Sequence, residues 1–350
     1  MANISDPLDI NMLQGGASAA AADSVGQEFV PEVWGQAILD KFRQKTMMLQ
    51  LANDLSSEAN GTDKIHLPHI GVTPLASVVQ GTPIVSDVAT GSMNATETAL
   101  EIDQHKVTSL WIPDALKAQS SYNLFNMYSD QLAYAIGRGV DNYLMYKVAT
   151  NLSTVYGTAT GVAFGATDGT IDCGTALTDS ILGSLMEKCT IETGSMEGWS
   201  LVLGTKLYGS LASLDSGAGF VRGSASPAGA SFAATGVVGN ILGMPVVLSN
   251  SPYLEVEDVA VDDDKGVVAW EGFDTSGTGG DDSTNDDSLR GFAIHNSALY
   301  YAAAQAPRVQ QSYQHTELSD LITVDSIYGC AVRNANATGD RRIIALIDNK

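Results

Sequence analysis

Cationic residues are scarce in this chain and unevenly placed. Its 350 residues carry 18 Lys and Arg against 40 Asp and Glu, a formal net charge of −22. Between Lys64 and Lys106 there is neither lysine nor arginine. Such a surface repels phosphate backbones, and no cluster of basic and aromatic residues offsets it, which excludes a sequence-reading nucleic-acid binder. Cysteine is equally sparse. Cys173, Cys189 and Cys330 stand far apart and form no CxxC, which argues against a disulfide framework and for free thiols in a reducing compartment. No run of about 18 apolar residues occurs, so no transmembrane helix is expected. The opening "MANISDPLDINML" has neither the basic nor the apolar region of a signal peptide.

Catalytic signatures are missing as well. GxSxG, Walker A, GxGxxG and HExxH patterns are absent. Of the five histidines, His66 and His69 sit closest, as "HLPH". Pro68 denies them a helical register and no third ligand is near, so they read as polar positions rather than a zinc site. His105, His295 and His315 belong to no motif. Asp281, Ser283, Asn285 and Asp287 alternate as in a calcium loop. The sixth position is Asp286 instead of glycine and the distal glutamate is lacking, so the run reads as a solvated acidic face. No cofactor and no metal are expected, and no enzyme activity.

What is present is a foldable chain, 44% hydrophobic and 17% charged, long enough for one large or two to three ordinary domains. Residues 1–27 are small and polar and read as an arm. Residues 28–63 follow as a helix, started by Pro31 and anchored by Trp34, and a connection. Residues 64–112 read as extended structure. Leu100 and Ile102 alternate with Glu101 and Asp103, and "QGTPIVSDVATGSMN" carries the turn formers of a tip. Two arms of about 15 residues would reach roughly 50 Å. A lone hairpin is marginal in water and exposes apolar side chains. The economical solution is to lay it on a second copy of the chain, through Val78, Val79, Ile84, Val85, Leu100 and Ile102.

The spacing next predicts a long helix over 121–149. Leu124, Tyr128, Leu132, Ile136, Val140 and Leu144 recur every fourth residue as its core stripe. Gly137 and Gly139 within it admit a close backbone contact or a bend. A shorter helix over "LTDSILGSLMEKC" leads to "GWSLVLGTKLYGSLASL", a strand and then a helix. A Gly/Ala/Ser-rich loop (216–236) precedes the buried strand "NILGMPVVLSN". Residues 255–290 hold 12 acidic and 2 basic residues, a net of −10. In "LITVDSIYGCAV", Ile322, Val324, Tyr328, Cys330 and Val332 share one face.

This order of elements resembles the major capsid proteins of tailed bacteriophages, whose shell fold is shared with encapsulins and the herpesvirus capsid floor. "FVPEVWGQAIL" (29–39) after an arm, the hairpin, the long helix, "GWSLVLGTKLYGSLASL" (198–214), "GNILGMPVVLSN" (239–250) and "GFAIHNSALYYAAAQAPRVQ" (291–310) carry the likeness. The resemblance implies an α+β fold with an N-terminal arm (1–27), an extended loop (64–112), a peripheral domain (113–175 and 294–350) with spine helix 121–149, and an axial domain (176–293). The stretch 271–290 would be an acidic insertion in the axial domain.

The function implied is self-assembly, through pentamers and hexamers, into the icosahedral shell around double-stranded DNA, which is enclosed without sequence-specific binding. The expected partners are further copies of the chain, a separate scaffolding protein, a portal protein and a cement or decoration protein, with no membrane. The expected location is the virion capsid, built in the host bacterial cytoplasm. Family members that cross-link covalently use a lysine in the extended loop, and residues 65–105 hold none. Two other readings stand beside this one: an encapsulin-like compartment that packages an enzyme, and an acidic hydrolase with an unrecognised site.

Overall fold

The run "IIALID" is apolar at every position but its last, and it forms the strand β13, Ile343–Asp348, buried along its whole length. Ile343, Ala345 and Ile347 face one hydrophobic cluster, while Ile344 and Leu346 face another. A strand of this kind belongs inside a sheet covered on both sides. The computed structural model that shows this describes residues 46–70, 95–119, 124–156, 169–174, 176–211, 240–241, 243–254, 260–270, 273–274, 286–335 and 340–348, all within one unit, 44–350.

The strands and helices, in chain order, are β1 (Asn53–Asp54), β2 (Lys64–Ile70), β3 (Ala95–Glu101), β4 (Gln104–Pro113), α1 (Asp114–Gln119), α2 (Leu124–Tyr156), β5 (Thr170–Asp172), α3 (Asp179–Thr193), β6 (Trp199–Leu203), α4 (Thr205–Ser210), β7 (Asn240–Ile241), β8 (Met244–Leu248), β9 (Phe273–Asp274), β10 (Asp286–His295), β11 (Leu299–Gln314), β12 (Ser319–Val332) and β13. They build a four-stranded sheet, β1-β11-β12-β4, and a seven-stranded one, β5-β13-β10-β6-β8-β7 with β9 beside β10. β2 and β3 form a separate antiparallel ribbon.

The two sheets meet α2. Val140, Leu144, Val148, Leu152 and Tyr156 pack with Phe292, Ile294, Tyr301 and Tyr328 in one cluster. On the far side of the seven-stranded sheet, Leu182, Leu185 and Cys189 of α3 and Leu207 of α4 cover Leu201, Leu203 and Ala293. Each large side chain taken fully out of water contributes ~1.5–3 kcal/mol. α3 starts where Thr178 accepts from the Ile181 N–H, and it closes with the Gly194 N–H on the Thr190 carbonyl.

Several expectations need correction. The extended stretch 64–112 is two structures. Only β2 and β3 form the ribbon, and β4 is an edge of the four-stranded sheet, aligned with β12 from Pro113 to Gln104. The long helix runs on to Tyr156 because burial of Leu152 and Tyr156 outweighs the poor helix propensity of the threonines and Ser153 around them. Its stripe is uneven. Ile136, Val140 and Leu144 are buried, Tyr128 and Leu132 are half-buried, and the Leu124 side chain lies outside the described residues. From Val140 to Met145 every residue is buried, because the helix is wrapped there rather than covered on one face. β5 and β13 were both expected in the peripheral domain, yet both lie in the sheet of the axial stretch, β13 between β5 and β10. Residues 286–290 of the expected acidic insertion are strand and enter the core at Leu289. The arm, residues 28–45 of the expected helix and connection (28–63), the loop 216–236 and residues 281, 283 and 285 lie outside the described residues.

Candidate functional site

β2 and β3 pair from Lys64↔Glu101 to Ile70↔Ala95, leaving residues 71–94 between them. Ile65 faces Leu100 across the ladder, and both pack with Ala59, Ala302 and Ala331. Small residues on β11 and β12 make this seat. At Gly329 the space is smaller still. A Cβ there would overlap the Glu101 carbonyl and come within 2.8 Å of the Ile102 Cα. Only glycine lets the ribbon cross β12 so closely. The Ile102 N–H donates to the Asp63 carbonyl at 2.9 Å, and Lys64 pairs with Glu101 at 2.6 Å in water.

Leu100 is therefore closed off within its own chain and not open to the second copy expected to cover it. Leu100 is wholly buried in its own chain, and Ile102 is half-buried against the same cluster. Their alternation with acidic neighbours signals burial but not the partner. Val78, Val79, Ile84 and Val85 lie outside the described residues.

A second junction lies on α2. Asp141 Oδ1 accepts from the N–H groups of Met47 and Met48 at 2.8 and 2.7 Å. Burial pushes this carboxyl up from its ordinary value, and the two backbone donors pull it partly back. One residue pair earlier, Gly139 meets Gly266, whose φ is +65°. A Cβ on Gly266 would stand 2.9 Å from the Gly139 Cα. Asn142 Nδ2 ties down the same turn by donating to the Lys265 carbonyl at 2.7 Å. Of the two helix glycines, Gly139 thus serves close contact, while Gly137 is exposed. Beside this junction, a cavity of about 270 Å³ opens between β4, α2 and residues 263–268, with Lys106, Asp263 and Asp264 on its wall.

The third feature is the outer half of the four-stranded sheet, where β11, β12 and β4 run together to the turn 315–318. Val107 (62% exposed), Trp111, Val309, Tyr313 and Leu318 (64% exposed) are open here. Polar ties hold this part of the sheet. Tyr313 Oη donates to Asp114 Oδ2 at 2.6 Å, and Lys117 bridges Asp114 and Asp320. Asp325 takes Arg308 Nε at 2.8 Å and Gln305 Nε2 at 2.7 Å, with His105 at 3.6 Å. The Arg308 guanidinium, ahead of Gln305, holds the Asp325 carboxyl down to about 2 against the opposing effect of burial.

Chemical machinery is thin by comparison. All three cysteines are buried, and burial pushes each thiol up to about 12, which leaves them unreactive at neutral pH. His66 faces Glu97 at 3.3 Å in water, His69 Nε2 meets the Thr98 hydroxyl at 2.8 Å, and His295 Nδ1 meets the Ser297 hydroxyl at 2.8 Å. Among the described residues no three His, Cys, Asp or Glu side chains gather as metal ligands, and no helix is long and apolar enough to cross a membrane. The arrangement offers surfaces and joints. Asp141, Gly266, Gly329 and the Asp325 cluster were not anticipated, and single polar or glycine positions carry no periodic signal that would reveal them.

No family model matches the sequence, and no curated protein matches it. Solved structures do. "Capsid structure of the Cyanophage P-SCSP1u" aligns with a TM-score of 0.65 at 15% identity, over 91% of this chain and 93% of that one. "Asymmetric unit of bacteriophage PhiM1 mature capsid" aligns with a TM-score of 0.62 at 11% identity, over 90% and 91%. A structure from Mycobacterium phage Che8 aligns with a TM-score of 0.59 at 19% identity, over 91% and 97%. The chain has the α+β fold of these phage capsid structures.

Proposed function

We propose that this chain is the major capsid protein of a tailed bacteriophage and builds the icosahedral shell around its DNA. The observation that carries this reading is the match along nearly the full length of both chains, 91% and 93% in the cyanophage capsid. Coverage of that order takes in the joints as well as the core.

In this reading the four-stranded sheet and α2 form the peripheral domain, and the seven-stranded sheet with α3 and α4 forms the axial domain at the centres of pentamers and hexamers. Residues 71–94 reach a neighbouring copy from the β2–β3 ribbon. Val78, Val79, Ile84 and Val85 make that contact, while Leu100 and Ile102 anchor the base. A net charge of −22 keeps the wall from adhering to packaged DNA. The shell rests on many modest interfaces multiplied by copy number. A scaffolding protein, a portal and a cement protein complete the assembly in the host cytoplasm.

Deleting residues 75–96 while keeping the seat of the ribbon tests this. The expected product is a folded, soluble subunit that forms no closed particles in negative-stain micrographs, whereas the intact chain forms shells. Normal particles from the deletion variant would refute the role of the loop. Shells of the intact chain that carry an enzyme instead of DNA in the infected or native host would move the protein to the encapsulin-like class.

A further inference from the structure

Across residues 288–316 there is no aspartate or glutamate, in a chain that has 40. This stretch contains β11, whose outer part, 306–313, is exposed. β11 is paired on one side with β12 throughout. On its other side it meets β1 at Tyr300 and Tyr301 and the residues just after it, Leu55 at the Tyr301 carbonyl and Ser56 at the Ala303 N–H. Exposed edges are normally protected by charges, bulges or proline. β11 has its register shifts between Ala303 and Arg308, with Pro307 among them. Beyond that point the ladder with β12 is regular, and from Val309 to Gln314 no residue is charged. Arg308, the charge at the start, is engaged by Asp325.

We infer that residues 308–314 of β11 pair antiparallel with the same residues of a second copy, about a twofold axis at Gln311, joining two sheets into one. The inference is independent of the shell reading. The register follows from strand geometry. Backbone groups that point out of an edge alternate along the strand, so a self-paired strand must have its axis through a residue, not between two. An axis at Gln311 sets Val309 opposite the other copy's Tyr313, and Tyr313 opposite its Val309. These two are exposed apolar residues of the strand. They share a face, since they pair with Val324 and Asp320 of β12, four residues apart. Aromatic against β-branched is a favourable cross-strand pair, and twofold symmetry makes it twice. An axis at Gln310 would oppose Val309 to Gln311, and one at Ser312 would oppose it to His315, leaving both apolar residues without apolar partners. With the axis at Gln311, Arg308 meets Gln314 and no like charges face each other. Pro307, which has no N–H, and the turn at 315 end the ladder at either side.

Cysteine cross-linking of the full chain decides this. The native thiols are buried, so an introduced cysteine reports alone. Residues facing across the axis lie within disulfide range, whereas a residue one step away faces a different partner. Gln311→Cys, oxidised with copper phenanthroline, is expected to give a band at twice the chain mass on a non-reducing gel. Gln310→Cys, whose counterpart is Ser312, is expected to stay monomeric. Gln311→Lys sets two like charges opposite each other and is expected to weaken association by roughly tenfold or more in sedimentation velocity, with an unchanged circular dichroism spectrum. No dimer from Gln311→Cys, or equal dimer from Gln310→Cys, overturns the inference. So does a disulfide that needs a mixture of Gln311→Cys and Val85→Cys chains, which would give the edge to the other copy's 71–94 segment. Because the gel reads a dimer whether or not closed particles form, a failed shell reading would leave this result distinguishable.

Discussion

Arg290 Nε donates to Asp348 Oδ2 at 3.2 Å, and the Nη2 group donates to the same oxygen, inside a part of the protein where both side chains are nearly closed off from water. Arg290 sits at the register shift of β10 against β13, between Leu289 and Gly291, so the bulge is what aims its side chain at the neighbouring strand. Removing one member strands the other's charge. Arg290→Ala is expected to cost ~3–5 kcal/mol, whereas the apolar double replacement Arg290→Met with Asp348→Leu is expected to come within ~1–2 kcal/mol of the parent. Urea denaturation of the two variants measures both.

Gly266 and Gly137 predict opposite outcomes. Gly266 has a positive φ, and a Cβ on it would crowd the Gly139 backbone. Gly266→Ala is expected to destabilise by ~1–3 kcal/mol. Gly137 is exposed with nothing within 4 Å of an added Cβ, so Gly137→Ala is expected to stabilise by ~0.5–1 kcal/mol. Thermal unfolding midpoints should move in opposite directions.

Asp325 predicts a pH dependence. Its carboxyl is held at about 2 in the folded chain, against ~3.9 when unfolded. A depressed folded value means that the unfolded state takes up the proton first. The contribution of Asp325 is thus complete above about pH 4 and is lost as the pH falls from there towards 2. Asp325→Asn should be less stable than the parent at pH 7, and the difference should shrink across that acid window. A constant difference from pH 7 to pH 2 would exclude the ion pair as its source.

Asp141 separates hydrogen bonding from charge. Asp141→Ala leaves two buried N–H groups, those of Met47 and Met48, without their acceptor, at a cost of ~2–4 kcal/mol. Asp141→Asn keeps an acceptor oxygen and removes a charge that burial disfavours, so it is expected to stay within ~1 kcal/mol of the parent. Amide exchange at Met47 and Met48 should quicken in the alanine variant alone.

What could be read in advance was periodic. The fourth-residue recurrence from Leu124 to Leu144 located α2, with Ile136, Val140 and Leu144 buried and Tyr128 and Leu132 half-buried. The alternation of Ile322, Val324, Tyr328, Cys330 and Val332 marked a strand face, of which the first four are buried and Val332 is half-buried. The order of elements suggested the shell fold. What could not be read was where neighbours in sequence part company in space. β3 and β4 form one extended run in the sequence, yet they part at Ile102 and Asp103 into different sheets. Pairing across that distance is decided by tertiary packing, as is the position of β13. Leu100 shows the same limit. An apolar residue in alternation must be covered, but the pattern does not say whether by its own chain or by another.

The position of β13 also sets the order in which the chain can fold. In the seven-stranded sheet, β13 lies between β5 and β10, although β5 precedes it by about half of the sequence. Until residues 343–348 have left the ribosome, β5 has no described partner, and β10 presents an open apolar edge. The four-stranded sheet waits almost as long, because its inner strand β12 ends at Val332 and pairs with β4, at Pro113 to Gln104. Helix α2 can form early, whereas both sheets close through non-local pairings, the slow kind. During that interval the nascent chain carries the exposed strand edge that most favours aggregation. Completion of β12 and β13, rather than the formation of α2, is thus the late step of folding.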